Sequence, residues 1–247
     1  MTPHDLAAVT GSPIKAVLFD KDGTLLDFQK TWEPALRVAA EHAATGNPAL
    51  ARRLLAVGGM DPESGLVAAD SLFAAASTAE IAEAFVATGS PFSVDVLTAA
   101  LDRIFTAAVA DAVVVTDLAA FFARLKARGL ATGIASSDSE AAIRGLIARF
   151  GMEDLVDFVT GYDTGHGSKP EAGMLLAFAA AVGVAPQEVA MVGDSVHDMK
   201  MARAAGAGAC YGVLTGAGTH ASLTPEADGC LASILEVEAL LLARAGV

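Results

Sequence analysis

The sequence predicts an α/β fold: a doubly wound, Rossmann-like parallel sheet with an all-helical segment inserted after its first strand. Two observations carry this. From Leu118 onward, short apolar runs alternate with helix-length runs ended by glycine, the pattern of parallel strands joined by crossover helices. The stretch from about Phe28 to Ala112 has a different character. It is rich in Ala and Leu, with charges at helical spacing and no strand pattern.

Ile14–Phe19 is a mostly apolar run ending in Asp20 and reads as a buried strand, followed by an Asp22-Gly23 turn. Breaks at Gly46-Asn47-Pro48, Gly58-Gly59, Asp61-Pro62 and Gly89-Ser90-Pro91 divide the next segment into four or five short helices. Leu118–Arg128 then reads as a helix closed by Gly129, Leu130–Ala135 as a strand, and Ser139–Phe150 as a helix closed by Gly151. Phe158–Thr160 is a short strand and Glu171–Val182 a helix. Val189–Val192 is a strand running into Gly193-Asp194, Met199–Ala205 a helix closed by Gly206, Ala209–Leu214 a strand, and Ala232–Ala243 the last helix. The first strand belongs with the later ones. The expected domains are therefore a discontinuous core, residues 1–27 and 113–247, and a helical cap, residues 28–112.

Composition excludes several classes. Of 247 residues, 53% are hydrophobic, too many for a disordered chain. Nine Pro and two Cys exclude collagen-like and disulfide-scaffold chains. The net charge of −13 disfavours nucleic acid and anionic membrane surfaces as partners. A small phosphorylated metabolite stays compatible if a cation sits in the site. The N-terminus lacks a basic stretch followed by an apolar one, so no secretory signal is expected. The longest apolar run, Ala172 to Ala185, is shorter than the ~18–20 residues of a membrane span. Cys210 and Cys230 are expected as reduced thiols. The chain is expected to be soluble and cytoplasmic.

Ligands of open α/β sheets bind beyond the carboxyl ends of the strands. The residues there are Asp20-Lys21-Asp22-Gly23-Thr24, Ser136-Ser137-Asp138, Ser168-Lys169-Pro170, and Gly193-Asp194 through Asp198. Each aspartate alone is an ordinary turn former or cap. Together they gather carboxylates, a hydroxyl and an ammonium on one rim, which burial of apolar surface does not require. The set suits phosphoryl transfer. Asp20 and Asp22, two apart in extended backbone, project to the same side. One can attack phosphorus while the other handles the leaving-group proton. Asp20, Asp22, Asp194 and Asp198 oppose only Lys169. Mg²⁺, a hard cation that bridges carboxylate to phosphate, would offset that excess.

These motifs resemble the haloacid dehalogenase superfamily, in its phosphatase branch with a helical cap inserted after strand one. They are DxDGT at Asp20–Thr24, a strand ending in Ser136, Lys169 before Pro170, and GDxxxD spanning Asp194–Asp198. The resemblance implies Asp20 as the nucleophile that forms an aspartyl-phosphate and Asp22 as general acid, then base. It implies Ser136 and Lys169 as partners of the phosphoryl oxygens. For Mg²⁺ it implies the Asp20 carboxylate, the Asp22 backbone carbonyl and Asp194, with Asp198 supporting from behind. The carboxyl at position 22 favours phosphate esters over carbon–halogen bonds. The most similar subfamily is phosphoglycolate phosphatase-like, which makes 2-phosphoglycolate a candidate substrate. A phosphomutase using the same aspartyl-phosphate, and a noncatalytic receiver-like module, are the alternatives.

The chain also departs from the family pattern. Lys21 stands where many relatives have an apolar residue, and is expected to contribute its backbone, with its charge near the cap hinge. Ser136-Ser137 replaces Thr-Asn, and Glu-Ala-Gly-Met follows Lys169-Pro170. His197 is expected in a loop or surface role and His166 in a flexible loop, while Trp32 is a candidate to line the substrate pocket that reads first as an anchor of the helical segment. Arg37, Arg52 and Arg53 are candidates to grip an anionic substrate tail, though each alone reads first as part of a solvated face. The glycines of Gly206–Gly218 lack the spacing of a dinucleotide turn.

Overall fold

A computed structural model describes residues 13–69 and 71–245. Residues 1–12, where no secretory signal is expected, lie outside the described residues. Six strands form one parallel sheet. They are β1 (Ala16–Phe19), β2 (Ala131–Ala135), β3 (Phe158–Thr160), β4 (Val189–Gly193), β5 (Ala209–Val213) and β6 (Gly229–Leu231). Their order is β3-β2-β1-β4-β5-β6. The chain thus winds outward from β1 on one side, then returns to begin the other side at β4. The crevice between β1 and β4 is where a ligand can enter beyond the carboxyl ends.

Five helices stand between β1 and β2: α1 (Phe28–Ala43), α2 (Pro48–Gly58), α3 (Leu72–Ala75), α4 (Thr78–Thr88) and α5 (Val94–Val109). Among the described residues the other helices are α6 (Leu118–Ala127), α7 (Glu140–Arg149), α8 (Gly173–Val182), α9 (Val196–Ala205), α10 (His220–Leu223) and α11 (Val237–Ala245). None among the described residues is long and apolar enough to cross a membrane.

Strand alternation builds two core layers. Val17, Phe19, Ile134 and Val192 point to one face, against Phe121 and Phe122 of α6, Ile143 of α7 and Val237 of α11. Ala16, Leu18, Val189 and Met191 point to the other, against Met174 and Phe178 of α8 and Met199 of α9. Helices on both faces explain why the strands read as continuous apolar runs. The inserted helices have a core of their own, including Leu36, Leu54, Phe73, Phe85 and Leu97.

Two short crossings join these helices to the sheet. They pair with each other: Asp27 N donates to Val113 O at 2.8 Å and Val115 N to Leu25 O at 3.0 Å. Asp27 also caps α1 by accepting from Lys30 N.

The structure differs from the sequence expectation in places. β6 (Gly-Cys-Leu) opens on a glycine and α10 (His-Ala-Ser-Leu) is a single turn, so neither carries a pattern the sequence reading expects. The last helix begins at Val237 rather than Ala232, after a 3₁₀ turn over Ile234–Glu236. α9 begins at Val196, because Ser195 and Asp198 form a reciprocal capping box that starts the helix inside the polar motif.

Candidate active site

β1 delivers Asp20 to the crevice, and its N–H donates to Val192 O of β4 at 2.9 Å. Asp20 Oδ1 meets Lys169 Nζ at 2.5 Å, and the same ammonium meets Asp198 Oδ1 at 2.6 Å. All three side chains are almost fully buried. Asp198 Oδ2 accepts from Ser195 N at 3.1 Å and Ser195 Oγ at 2.6 Å. The helix cap therefore also fixes the carboxylate that grips Lys169.

Asp194, in the turn after β4, accepts from Ala217 N at 2.9 Å. Two glycines make room for it. A Cβ on Gly216 would stand 1.8 Å from Asp194 Oδ2, and one on Gly23 would stand 2.4 Å away. Gly23 also has φ +81°, which side chains rarely adopt. The glycines between 206 and 218, unassigned from sequence, thus include one that clears space for this carboxylate.

Carboxylate oxygens of Asp20, Asp194 and Asp198 lie within 4.8 Å of one another. Burial pushes the Asp20 carboxyl up to about 7; Lys169 opposes this, while Asp198 and Asp22 add to it. Burial also raises Asp194 well above the ordinary range, helped by Asp20 and Asp198. Burial alone would lower the Lys169 ammonium, but Asp198 and Asp20 outweigh it and hold the charge in place. Asp20 Oδ2 is buried with no hydrogen-bond partner. Three carboxylates, one ammonium and an orphaned oxygen form a hard anionic donor set, which fits a divalent cation such as Mg²⁺.

Asp22 belongs to a second network. Its Oδ1 accepts from Trp32 Nε1 of α1 at 3.0 Å. Its Oδ2 meets Lys21 Nζ at 2.6 Å, and Lys21 also reaches Asp138 Oδ2 at 3.3 Å. Lys21 is wholly buried, with its ammonium 5.7 Å from the Trp32 ring centroid. Burial opposes this charge, but Asp22 and Asp138 outweigh it and keep the pKa raised. The expectation that Lys21 contributes mainly its backbone is corrected: its side chain ties both carboxylates together beneath the cavity. Sequence spacing hides this, because Asp138 follows a different strand.

Asp20, Asp22, Ser136, Lys169 and Asp194 all line one cavity of about 220 Å³ between the sheet and the inserted helices. Ser136 Oγ accepts from Asp138 N at 3.1 Å. Asp198 stands behind Lys169 in the cluster, both its oxygens already engaged. Trp32 lines the cavity, packs edge-on to Phe105 and reaches Asp22, a wider part than a helical anchor. His197 is on the rim and exposed. His166 packs near Phe158 instead. Arg37 is turned to Glu33 and Pro62, and Arg52 to Glu63. Neither these nor Arg53 lines the cavity.

A family model for haloacid dehalogenase-like hydrolases matches residues 14–206, a span holding Asp20, Asp22, Ser136, Lys169, Asp194 and Asp198. The chain belongs to the haloacid dehalogenase-like hydrolase family. It is 31% identical over 202 residues to the phosphoglycolate phosphatase of Rhodospirillum rubrum, covering 78% of this chain and 76% of that protein. It is 36% identical over 117 residues to that of Chromobacterium violaceum, a match spanning 47% of this chain and about half, 51%, of that relative. In fold it is similar to a Thermotoga maritima structure provisionally described as a β-phosphoglucomutase. That likeness has a TM-score of 0.69 at 20% identity, over 93% of this chain and 99% of the other.

Proposed function

We propose that the chain is a Mg²⁺-dependent phosphatase that hydrolyses a small phosphomonoester through an aspartyl-phosphate on Asp20. The observation that carries this is Asp20 itself: a buried carboxylate at the strand end, one oxygen on Lys169 and the other unpartnered. The helices of residues 28–112 act as a cap over a core of residues 1–27 and 113–247, and shield the first step from bulk water.

Asp20, Asp194 and the Asp22 backbone carbonyl would hold Mg²⁺, which supplies positive charge against the carboxylates and the phosphate oxygens. Asp20 attacks phosphorus as the bond to the leaving oxygen breaks. Asp22 gives its proton to that oxygen and the alcohol departs. Asp22, now a carboxylate, takes a proton from water as that water attacks the phosphoryl group. Asp20 is freed with inorganic phosphate, and the proton on Asp22 restores the starting state. Lys169 steadies Asp20 and the transferring oxygens, while Ser136 donates its hydroxyl proton to one of them. Trp32 and Lys21 orient Asp22 by one contact to each oxygen.

Rapid acid quench during turnover tests this. An added phosphoryl mass on the peptide bearing Asp20, removed by hydroxylamine, is expected. A phosphoryl group on any other residue, or none during measurable turnover, overturns it. A sugar bisphosphate that converts hydrolysis into isomerisation would favour a mutase instead.

A further inference from the structure

The walls of the cavity carry information about the leaving group that the catalytic rim does not. The inserted helices face the rim with Phe28, Trp32, Leu36, Phe73, Ile81 and Phe105. None of the described cavity-lining residues is an arginine. The one lining ammonium, Lys169, is held between Asp20 and Asp198. Lys21 lies below the surface, shared by Asp22 and Asp138. Neither ammonium is therefore free to meet an anion on the leaving group.

The N-terminus of α4 also reaches the cavity, through Ser77 and Thr78. A helix start could receive an anion, but a carboxylate already folds over this one. Glu80 folds back, and its Oε2 accepts from Ser77 N and Ser77 Oγ, both at 2.7 Å. A carboxylate on the leaving group would lose water against an apolar wall whose described lining offers no arginine and no unpaired ammonium, a costly transfer.

We propose, resting on the phosphatase reading above, that this pocket selects a phosphomonoester whose leaving group is an uncharged, apolar alcohol. It discriminates against carboxylate-bearing esters, 2-phosphoglycolate among them. The aromatic edges of Trp32, Phe73 and Phe105 suit a flat or branched hydrocarbon face. The volume of about 220 Å³ lies below the ~300–1,000 Å³ of larger ligand sites and limits that group to a small one.

The test compares kcat/KM for benzyl phosphate and 2-phosphoglycolate, both esters of primary alcohols, so that the difference reports the pocket rather than leaving-group acidity. Benzyl phosphate is expected to be preferred by at least tenfold, within the ~10–200-fold that one methylene-sized apolar contact gives. The variant Phe105→Arg places a cation on the wall and is expected to shift the ratio at least tenfold toward 2-phosphoglycolate. The wild-type ratio decides the matter even if that variant folds poorly. A preference below tenfold, or for 2-phosphoglycolate, overturns the inference and leaves the phosphatase reading standing. Release from neither ester, nor from any other phosphomonoester, by folded Mg²⁺-loaded protein overturns both.

Discussion

Removing the divalent metal should make the fold less stable as pH rises, opposite to the usual behaviour of carboxylates in this range. The cause is the buried pair Asp20 and Asp194. The Asp20 carboxyl is pushed from an ordinary 3.8 up to about 7. A pKa raised on folding contributes stability that is complete below the unfolded value and lost as pH climbs through the folded one. Between pH ~5 and ~6.5 the native state holds a proton that the unfolded chain has released. The slope is about −1.4 kcal/mol per pH unit, and the whole change about 4 kcal/mol. Asp194, also raised, acts in the same direction. Glu80, Asp61 and Glu188 are lowered, so their loss comes below this window. At ~2–4 °C per kcal/mol for a chain of this size, the metal-free Tm should fall by about 3–6 °C per pH unit. Saturating Mg²⁺ should flatten the curve by binding the ionised carboxylates. Thermal unfolding in EDTA and in Mg²⁺, from pH 5 to 7, measures both slopes. A metal-free Tm that holds level or rises, or equal slopes with and without metal, refutes the reasoning.

Three further outcomes are expected. Gly216→Ala forces Asp194 aside, since the new Cβ would stand 1.8 Å from its Oδ2; calorimetry should find Mg²⁺ binding weaker by ~10–100-fold, with the near-UV spectrum unchanged. Asp22→Asn should slow alkyl phosphates by ~10²–10⁴-fold and p-nitrophenyl phosphate far less, and equal losses on both would contradict its role as acid. Lys21→Met leaves Asp22 and Asp138 facing each other without their shared cation; urea titration should register a loss of about 1–3 kcal/mol, discounted because both carboxylates keep some contact with water. The emission of Trp32, the one tryptophan, should shift in the same variant.

The parts of this protein legible in its sequence are those that one local constraint fixes. Strands buried on both faces must be apolar throughout, and carboxylates at their ends have little reason to be there except chemistry. The DxDGT and GDxxxD segments were readable on that ground. What stayed hidden depends on pairings across the fold. Lys21 reads as a backbone contributor until Asp138, from the end of β2, is placed beside its side chain. Gly216 looks like loop punctuation until Asp194 is found against its Cα. Arg37 and Arg52 stay open between substrate anchor and solvated face because sequence does not show Glu33 and Glu63 already holding them. The apolar wall of the cavity escaped notice because Leu36, Phe73 and Ile81 have the spacing of ordinary helix-core residues, which they also are.

The most direct measurement is phosphate release from a panel of small phosphomonoesters, with Mg²⁺ and with EDTA, by the native chain and by Asp20→Asn. The expected result is release that needs Mg²⁺ and vanishes in the variant while its circular dichroism stays native, because an amide is a poor nucleophile. Release undiminished in EDTA, or full activity in Asp20→Asn with the substitution confirmed by mass, would contradict an aspartyl-phosphate mechanism at this site.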